Sequence, residues 1–448
     1  MLSLARALAT VTFVLFFAFA QNPAGAQQQS LSGFDRDRGR QMLSLIRKDI
    51  EKDYYDPNFH GINLEEHFAA ADEKLKQAKS LGEMFGVIAQ ALLDFDDSHL
   101  FFIPPGRSAR YDYGWGMRMV GDKCFVSSVK PGSDAEQKGL RPGDEVYSVD
   151  GFEPTRPDLW KMTYYYYALS PKPGLRLIVT KPNGEHHQYD VMTKIKEGKR
   201  VTNMTFDTLA GQAAVTDLIR DEEDAARESR DRFVEAGEDL FVWKMDAFDL
   251  SDSQVDEMMG KARKHKSLIL DLRGNGGGAE TTLLRLIGNL FDHDVKLGDI
   301  KRRKETKPLM AKTRGGDAVF KDNLVVLIDS DSGSASELFA RVIQLEKRGT
   351  IVGDRSAGAV MRSRFHEHTS GVEIVAFYGA SITDADVLMT DGKSLEHVGV
   401  TPDHLVLPTG ADLAAQRDPA LAFAASLVGV KLDPEKAGAL FPPKWKKN

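Results

Sequence analysis

The stretch Ser267-Leu268-Ile269-Leu270-Asp271-Leu272-Arg273-Gly274-Asn275-Gly276-Gly277-Gly278 decides the fold class. Its first half is a continuous apolar run, the pattern of a strand buried on both faces. Its second half ends in three successive glycines, which leave backbone N–H groups uncovered by side chains. Such a loop can cradle an anion or a developing oxyanion. The Lys-Ser/Thr ending of a phosphate loop is missing. A second buried run, Leu324-Val325-Val326-Leu327-Ile328, leads into Asp329-Ser330-Asp331-Ser332-Gly333-Ser334-Ala335-Ser336-Glu337. A helix follows, carrying Leu338, Phe339 and Val342. With a strand at Phe241 to Met245, a helix around Met258 and Met259, and another from Thr281 to Leu290, the rhythm is βαβ. That predicts an α/β domain with a parallel-type core. A serine at a strand-to-helix turn has an exposed hydroxyl with a helix N-terminus behind it. The same residues also read as an ordinary helix cap, since Ser334 and Glu337 stand at capping-box spacing.

The rest of the chain differs in character. With 448 residues it is too long for one ordinary domain of about 150 residues. Its 42% hydrophobic and 28% charged content fits packed globular domains. A formal net charge of −7 argues against a protein built to neutralise phosphates, so no nucleic-acid partner is expected. Residues 1–26 combine Arg6, an apolar run from Ala7 to Ala20 and the small residues Ala24-Gly25-Ala26. This is the pattern of a secretory signal cleaved after Ala26, with a periplasmic or secreted product and no stable membrane span. The lone cysteine, Cys124, lies in an alternating strand and reads as a buried structural thiol.

Residues 27–105 read as a helical domain, broken at Asp53-Tyr54-Tyr55-Asp56-Pro57. Residues 106–200 are rich in glycines and short strands, with Gly114-Trp115-Gly116-Met117, Leu140-Arg141-Pro142-Gly143-Asp144 and an Asp150-Gly151 hairpin turn. Residues 201–238 read as a charged helix or linker, 239–410 as the α/β domain, and 411–448 as a C-terminal helix and tail. Asp299 to Arg314 is basic and lacks apolar period, which predicts an exposed loop. His366 and His368 alternate along a strand and could suggest a metal site. No third ligand has suitable spacing, so no metal is expected.

Residues 106–200 resemble a PDZ domain. The glycine loop and the Ser-Ala-Ser-Glu turn together resemble the signature of the carboxyl-terminal processing (tail-specific) serine peptidases. The resemblance extends to Tyr54-Tyr55-Asp56-Pro57 and to Gly399-Val400-Thr401-Pro402-Asp403. It implies a ClpP/crotonase-like α/β catalytic domain beside the helical and PDZ domains, polypeptide substrates, and no cofactor. Ser334 would be the nucleophile, with an oxyanion hole from the N–H groups of Ala335 and of Gly277 or Gly278. Many members use a Ser-Lys dyad, but the lysine position here holds Ala359. Neither Arg355 nor Arg362 can replace it, because a guanidinium does not give up its proton. Other members, resembling the tricorn core protease, use serine, histidine and glutamate. The matching positions are His99 in Asp97-Ser98-His99 and Glu396, just before the Gly-Val-Thr-Pro-Asp motif. His99 would take the hydroxyl proton and Glu396 would orient the imidazole. His397 is an alternative base. The PDZ loop Gly114, Trp115, Gly116 and Met117 would offer N–H groups to a peptide C-terminal carboxylate, the peptide adding as a strand. Trp115 is large for that loop and could narrow or close the pocket. Two rival readings stand beside the peptidase. One is a scaffold that has lost catalysis, and the other is a carrier of small apolar ligands on the same fold.

Overall fold

The computed structural model describes residues 31–107, 109–197, 232–370 and 376–442. The expected export segment, and most of the charged segment 201–238, lie outside them. The central sheet has six strands in the order His404–Leu405, Thr350–Gly353, Asn323–Ile328, Ser267–Asp271, Leu240–Lys244 and Phe233–Ala236. Neighbours are parallel except at the last pair, which is an antiparallel hairpin. The linker expected to run to residue 238 therefore gives way to a strand at Phe233.

Both faces of this sheet are covered, which explains its unbroken apolar runs. Phe241, Trp243, Leu268, Leu270 and Val326 point into one core with the helices Asp252–Ala262, Glu280–Gly288 and Ala335–Leu345. Leu240, Val242, Ile269, Val325 and Leu327 point the other way. They pack on Leu421, Ala424 and Ala425 of the helix Pro419–Leu427. The expected C-terminal helix thus supplies the second layer, and residues 443–448 of the expected tail lie outside the described residues.

A second, antiparallel sheet joins Phe101–Ile103, Ala376–Met389, Val295–Lys301, Thr306–Ala311 and Arg362–Ser370. The expected basic loop at Asp299 to Arg314 is a hairpin within it. Ile300, Leu309 and Ala311 are buried there, while the basic residues cluster at the turn and mask that alternation. Tyr378, Ala380 and Ile382 of this sheet share a core with the N-terminal helices Gly33–Asp53, Leu64–Gln77 and Leu81–Leu93. The PDZ portion is a five-stranded sheet beginning with Trp115–Val120 at one edge. Its Asp150-Gly151 turn has φ of 51° and 88°, the left-handed pair a two-residue hairpin needs.

Candidate active site

Ser334 sits between the strand Asn323–Ile328 and the helix Ala335–Leu345 with φ 52° and ψ −118°. That conformation is strained for a residue with a Cβ and persists only where its surroundings fix it. They do so through the Ser334 N–H, which donates to Ala359 O at 2.7 Å and to Glu337 Oε2 at 3.1 Å. Glu337 is fully buried and accepts three further bonds, from Ser356 Oγ (2.6 Å), Gly358 N (2.7 Å) and Ala359 N (2.9 Å). Burial nevertheless pushes its carboxyl up to about 7. So the cap contact that the spacing predicts, Ser334 N–H to Glu337, is made, and the same carboxylate has a second use. Glu337 fastens the serine turn to the loop 356–359, the place where the resemblance puts a lysine.

The glycine loop lies directly against this turn. A Cβ on Gly277 would meet Ser334 Cβ at 2.6 Å and Ala335 N at 2.9 Å, so only glycine fits. Asn275, buried and not anticipated from the sequence, staples the two loops. Its Nδ2 donates to Met245 O (2.8 Å), and its carbonyl accepts from Gly333 N (3.0 Å) and Ser336 Oγ (2.8 Å). Its Oδ1 also accepts the Gly277 N–H at 2.9 Å. That corrects the expectation for Gly277, whose N–H is committed in this conformation. Gly278 is held by a parallel bridge to Phe248, which turns its own N–H away from that residue. The first-turn N–H of Ala335 has no carbonyl within its own helix to bond and carries the positive end of the dipole.

His99 follows the helical portion. Its ring Nδ1 lies 2.8 Å from Ser98 Oγ. Ser98 Oγ donates to Glu396 Oε2 (3.0 Å), and the Ser98 N–H donates to Glu396 Oε1 (2.9 Å). A hydroxyl has one proton. Having given it to Glu396, Ser98 must accept from His99, which places the imidazole proton on Nδ1 and leaves Nε2 as a base. Glu396 and His99 are therefore brought together, but through Ser98 rather than by direct contact. Burial lowers the His99 pKa, against an opposing pull from Asp97, so the ring is neutral at pH 7. Burial also raises Glu396 above the usual carboxylate range, opposed by the N–H groups of Val360 and Ser98. No hydrogen bond joins Ser334 to His99 in this conformation.

The motif residues around the site brace it. Asp97 is buried and accepts from the His99 N–H (2.9 Å), Tyr54 Oη (3.0 Å) and Thr383 Oγ1 (2.7 Å). This gives Tyr54-Tyr55-Asp56-Pro57 its role: it turns the chain so that Tyr54 holds the histidine loop. Arg273 spans Asp271 and Asp418 with paired bonds of 2.7–2.9 Å, tying the glycine loop to the second helical layer. Burial would raise the Asp271 carboxyl, but the Arg273 and Lys244 charges hold it well below the usual range.

Other candidates fall elsewhere. His397 is half-exposed and its Nε2 faces Asp96 O at 3.0 Å. His366 and His368 turn to Asp49 and Asp53 of the first helix, at 2.6 to 3.9 Å. Among the described residues no group of three or more His, Cys, Asp or Glu is placed to hold a metal ion. Cys124 is buried, which pushes its thiol up to about 12. In the PDZ loop the Gly114 N–H already donates to Asp112 Oδ1 (3.0 Å), and Trp115 is packed into the domain core. The tryptophan thus fills the loop rather than facing a ligand. Met117 lies on an edge strand and lines a cavity of about 960 Å³ together with His99, Gly276 and Ala359. Lys161, the one lysine lining that cavity among the described residues, donates to Asp158 at 3.1 Å.

Comparison with known proteins places this arrangement. Residues 241–406 match the model of peptidase family S41, and residues 108–158 match the PDZ domain. The chain is 26% identical over 327 residues to a tail-specific protease of Haemophilus influenzae, covering 67% of this chain and 42% of that protein. It is 23% identical to the chloroplastic carboxyl-terminal-processing peptidase 3 of Arabidopsis thaliana, covering 89% and 76%. In fold it is similar to mature CPAF complexed with lactacystin, with a TM-score of 0.60 and 14% identity over 85% of this chain and 95% of that one. Residues 241–406 thus carry a peptidase family S41 domain, and residues 108–158 a PDZ domain.

Proposed function

We propose that this chain is an exported serine endopeptidase acting on unfolded or tail-exposed polypeptides, with Ser334 as nucleophile and His99 as general base. The observation that carries the reading is the chain of bonds from Glu396 through Ser98 to His99, which leaves Nε2 unprotonated. Ser334 Oγ attacks the scissile carbonyl and its proton passes to His99 Nε2. The Ala335 N–H and an N–H of the glycine loop stabilise the oxyanion. The C–N bond then breaks, the amine leaves with the proton from His99, and water hydrolyses the ester. Glu396, acting through Ser98, holds the ring and offsets its transient positive charge. That no hydrogen bond joins Ser334 and His99 here fits a site that tightens when substrate arrives. Residues 1–26 serve as the export signal, cleaved after Ala26. The test is digestion of an unfolded protein by residues 27–448, with the products mapped by mass spectrometry. Cleavage by the parent and none by Ser334→Ala supports the reading. Equal cleavage by both overturns it.

A further inference from the structure

The cavity at His99 has a wall that the chemistry above does not use. Trp160 is 38% exposed, a large apolar surface to leave in contact with water. It belongs to the helix Leu159–Tyr164 of the PDZ portion and stacks on Tyr164, with ring centroids 6.4 Å apart at 26°. Tyr164 in turn meets Phe101 edge-on at 6.3 Å. Phe101 lies two residues beyond His99, on the strand Phe101–Ile103. The Tyr164 hydroxyl donates to Phe102 O, which locks the aromatic stack to the strand that follows the base. All three rings line the same cavity as His99 and Ala359.

Three of the charged groups of that cavity are held by neighbours, while Asp96, Asp331 and Arg355 also line it. Arg156 is bound to Asp354 and to the carbonyls of Gly121 and Arg355. Lys161 is bound to Asp158, and Asp97 holds the histidine loop. Beside these groups the lining offers the aromatic surface of Trp160, Tyr164 and Phe101 and the small residues Gly276, Gly358 and Ala359. Preorganised rings in the same cavity as small residues suit a bulky apolar side chain.

We infer that Trp160, with Tyr164 and Phe101, forms a subsite for a large apolar side chain of the substrate beside the scissile bond. Cleavage preference is then set partly by the PDZ helix and not by the catalytic domain alone. This rests on the peptidase reading above. The experiment uses pairs of quenched-fluorescence peptides that differ at one position, Phe against Ser, scanned across the positions flanking cleavage. The parent should favour Phe at one position by roughly 10-fold or more in kcat/KM, the scale of an apolar pocket. Trp160→Ala should collapse that ratio towards one, and Trp160→Phe should retain most of it. A second readout needs no turnover: intrinsic fluorescence of the full chain carrying Ser334→Ala, titrated with the same peptides. It should show tighter binding of the Phe peptide, lost when Trp160→Ala is added. A Phe preference untouched by Trp160→Ala, in rate and in binding, overturns the subsite and leaves the peptidase reading intact. Binding preference that depends on Trp160 without any hydrolysis by the parent keeps the subsite and overturns the peptidase reading.

Discussion

Replacing Gly277 by alanine strikes the contact on which the site geometry depends. The added Cβ would lie 2.6 Å from Ser334 Cβ, where ordinary van der Waals contact begins at 3.4 Å. Either the serine turn or the glycine loop must give by about 0.8 Å, and a misplacement near 1 Å at a reacting centre can cost ~10²-fold. Gly277 also has φ of 102°, so alanine there adds backbone strain of about 1–3 kcal/mol. The assay is the second-order rate of labelling by a fluorophosphonate probe, read beside a thermal melt. Gly276→Ala is the control, since a Cβ at that glycine meets nothing within 4 Å. The expected result is a folded Gly277→Ala chain with a lowered melting temperature and labelling slowed by about 10²-fold, while Gly276→Ala melts with the parent. A folded Gly277→Ala chain that labels at the parent's rate refutes the argument, because the close approach would then have no bearing on Ser334.

Three further outcomes follow from the same geometry. Ser98→Ala removes the link that sets the His99 tautomer, and should slow labelling by roughly 10²-fold, the lower end of what general acid–base catalysis contributes. The melting temperature should change little by comparison. The labelling rate of the parent should stay flat from neutral pH downward past the ordinary histidine value, and fall only below it, because burial lowers the His99 pKa. A rate that falls with an inflection above the ordinary value contradicts this. Glu337 titrates at about 7 when folded against 4.5 when exposed, so the folded state binds the extra proton between those values. Its contribution to stability is therefore full at low pH and is lost as pH rises from 4.5 to 7. The total is about 3 kcal/mol at 1.36 kcal/mol per unit. Chemical denaturation across that range should show the slope, and Glu337→Gln should flatten it.

Much of this was legible in the sequence where a local rule had one reading. Buried strands covered on both faces must be continuous apolar runs, so Ser267–Asp271 and Asn323–Ile328 stood out. Asp150-Gly151 could form only one kind of turn. The hairpin at Val295–Ala311 was hidden, because its alternation is carried by a few residues between lysines and arginines. Asn275 and Ser98 were missed for a different reason. Each is a small polar residue inside a motif, and its importance lies in partners distant in sequence: Met245, Gly333 and Ser336 for one, Glu396 for the other. Only the question of where the histidine's second nitrogen finds a partner could have pointed to Ser98. The PDZ segment Gly114 to Met117 reads as a loop, yet Trp115, Gly116 and Met117 begin the edge strand Trp115–Val120. That Asp112 already holds the Gly114 N–H depended on a side-chain bond that spacing does not reveal.

The central claim is an activated Ser334 with His99 as its base, and covalent labelling tests it most directly. Residues 27–448 would be treated with a fluorophosphonate probe alongside Ser334→Ala, His99→Ala and Glu396→Ala. The account predicts an adduct on Ser334 of the parent, none with Ser334→Ala, and severe loss with His99→Ala and Glu396→Ala. Labelling that disappears with Ser334→Ala but persists at the parent's rate with His99→Ala would contradict it, because the proton would then be leaving by another route.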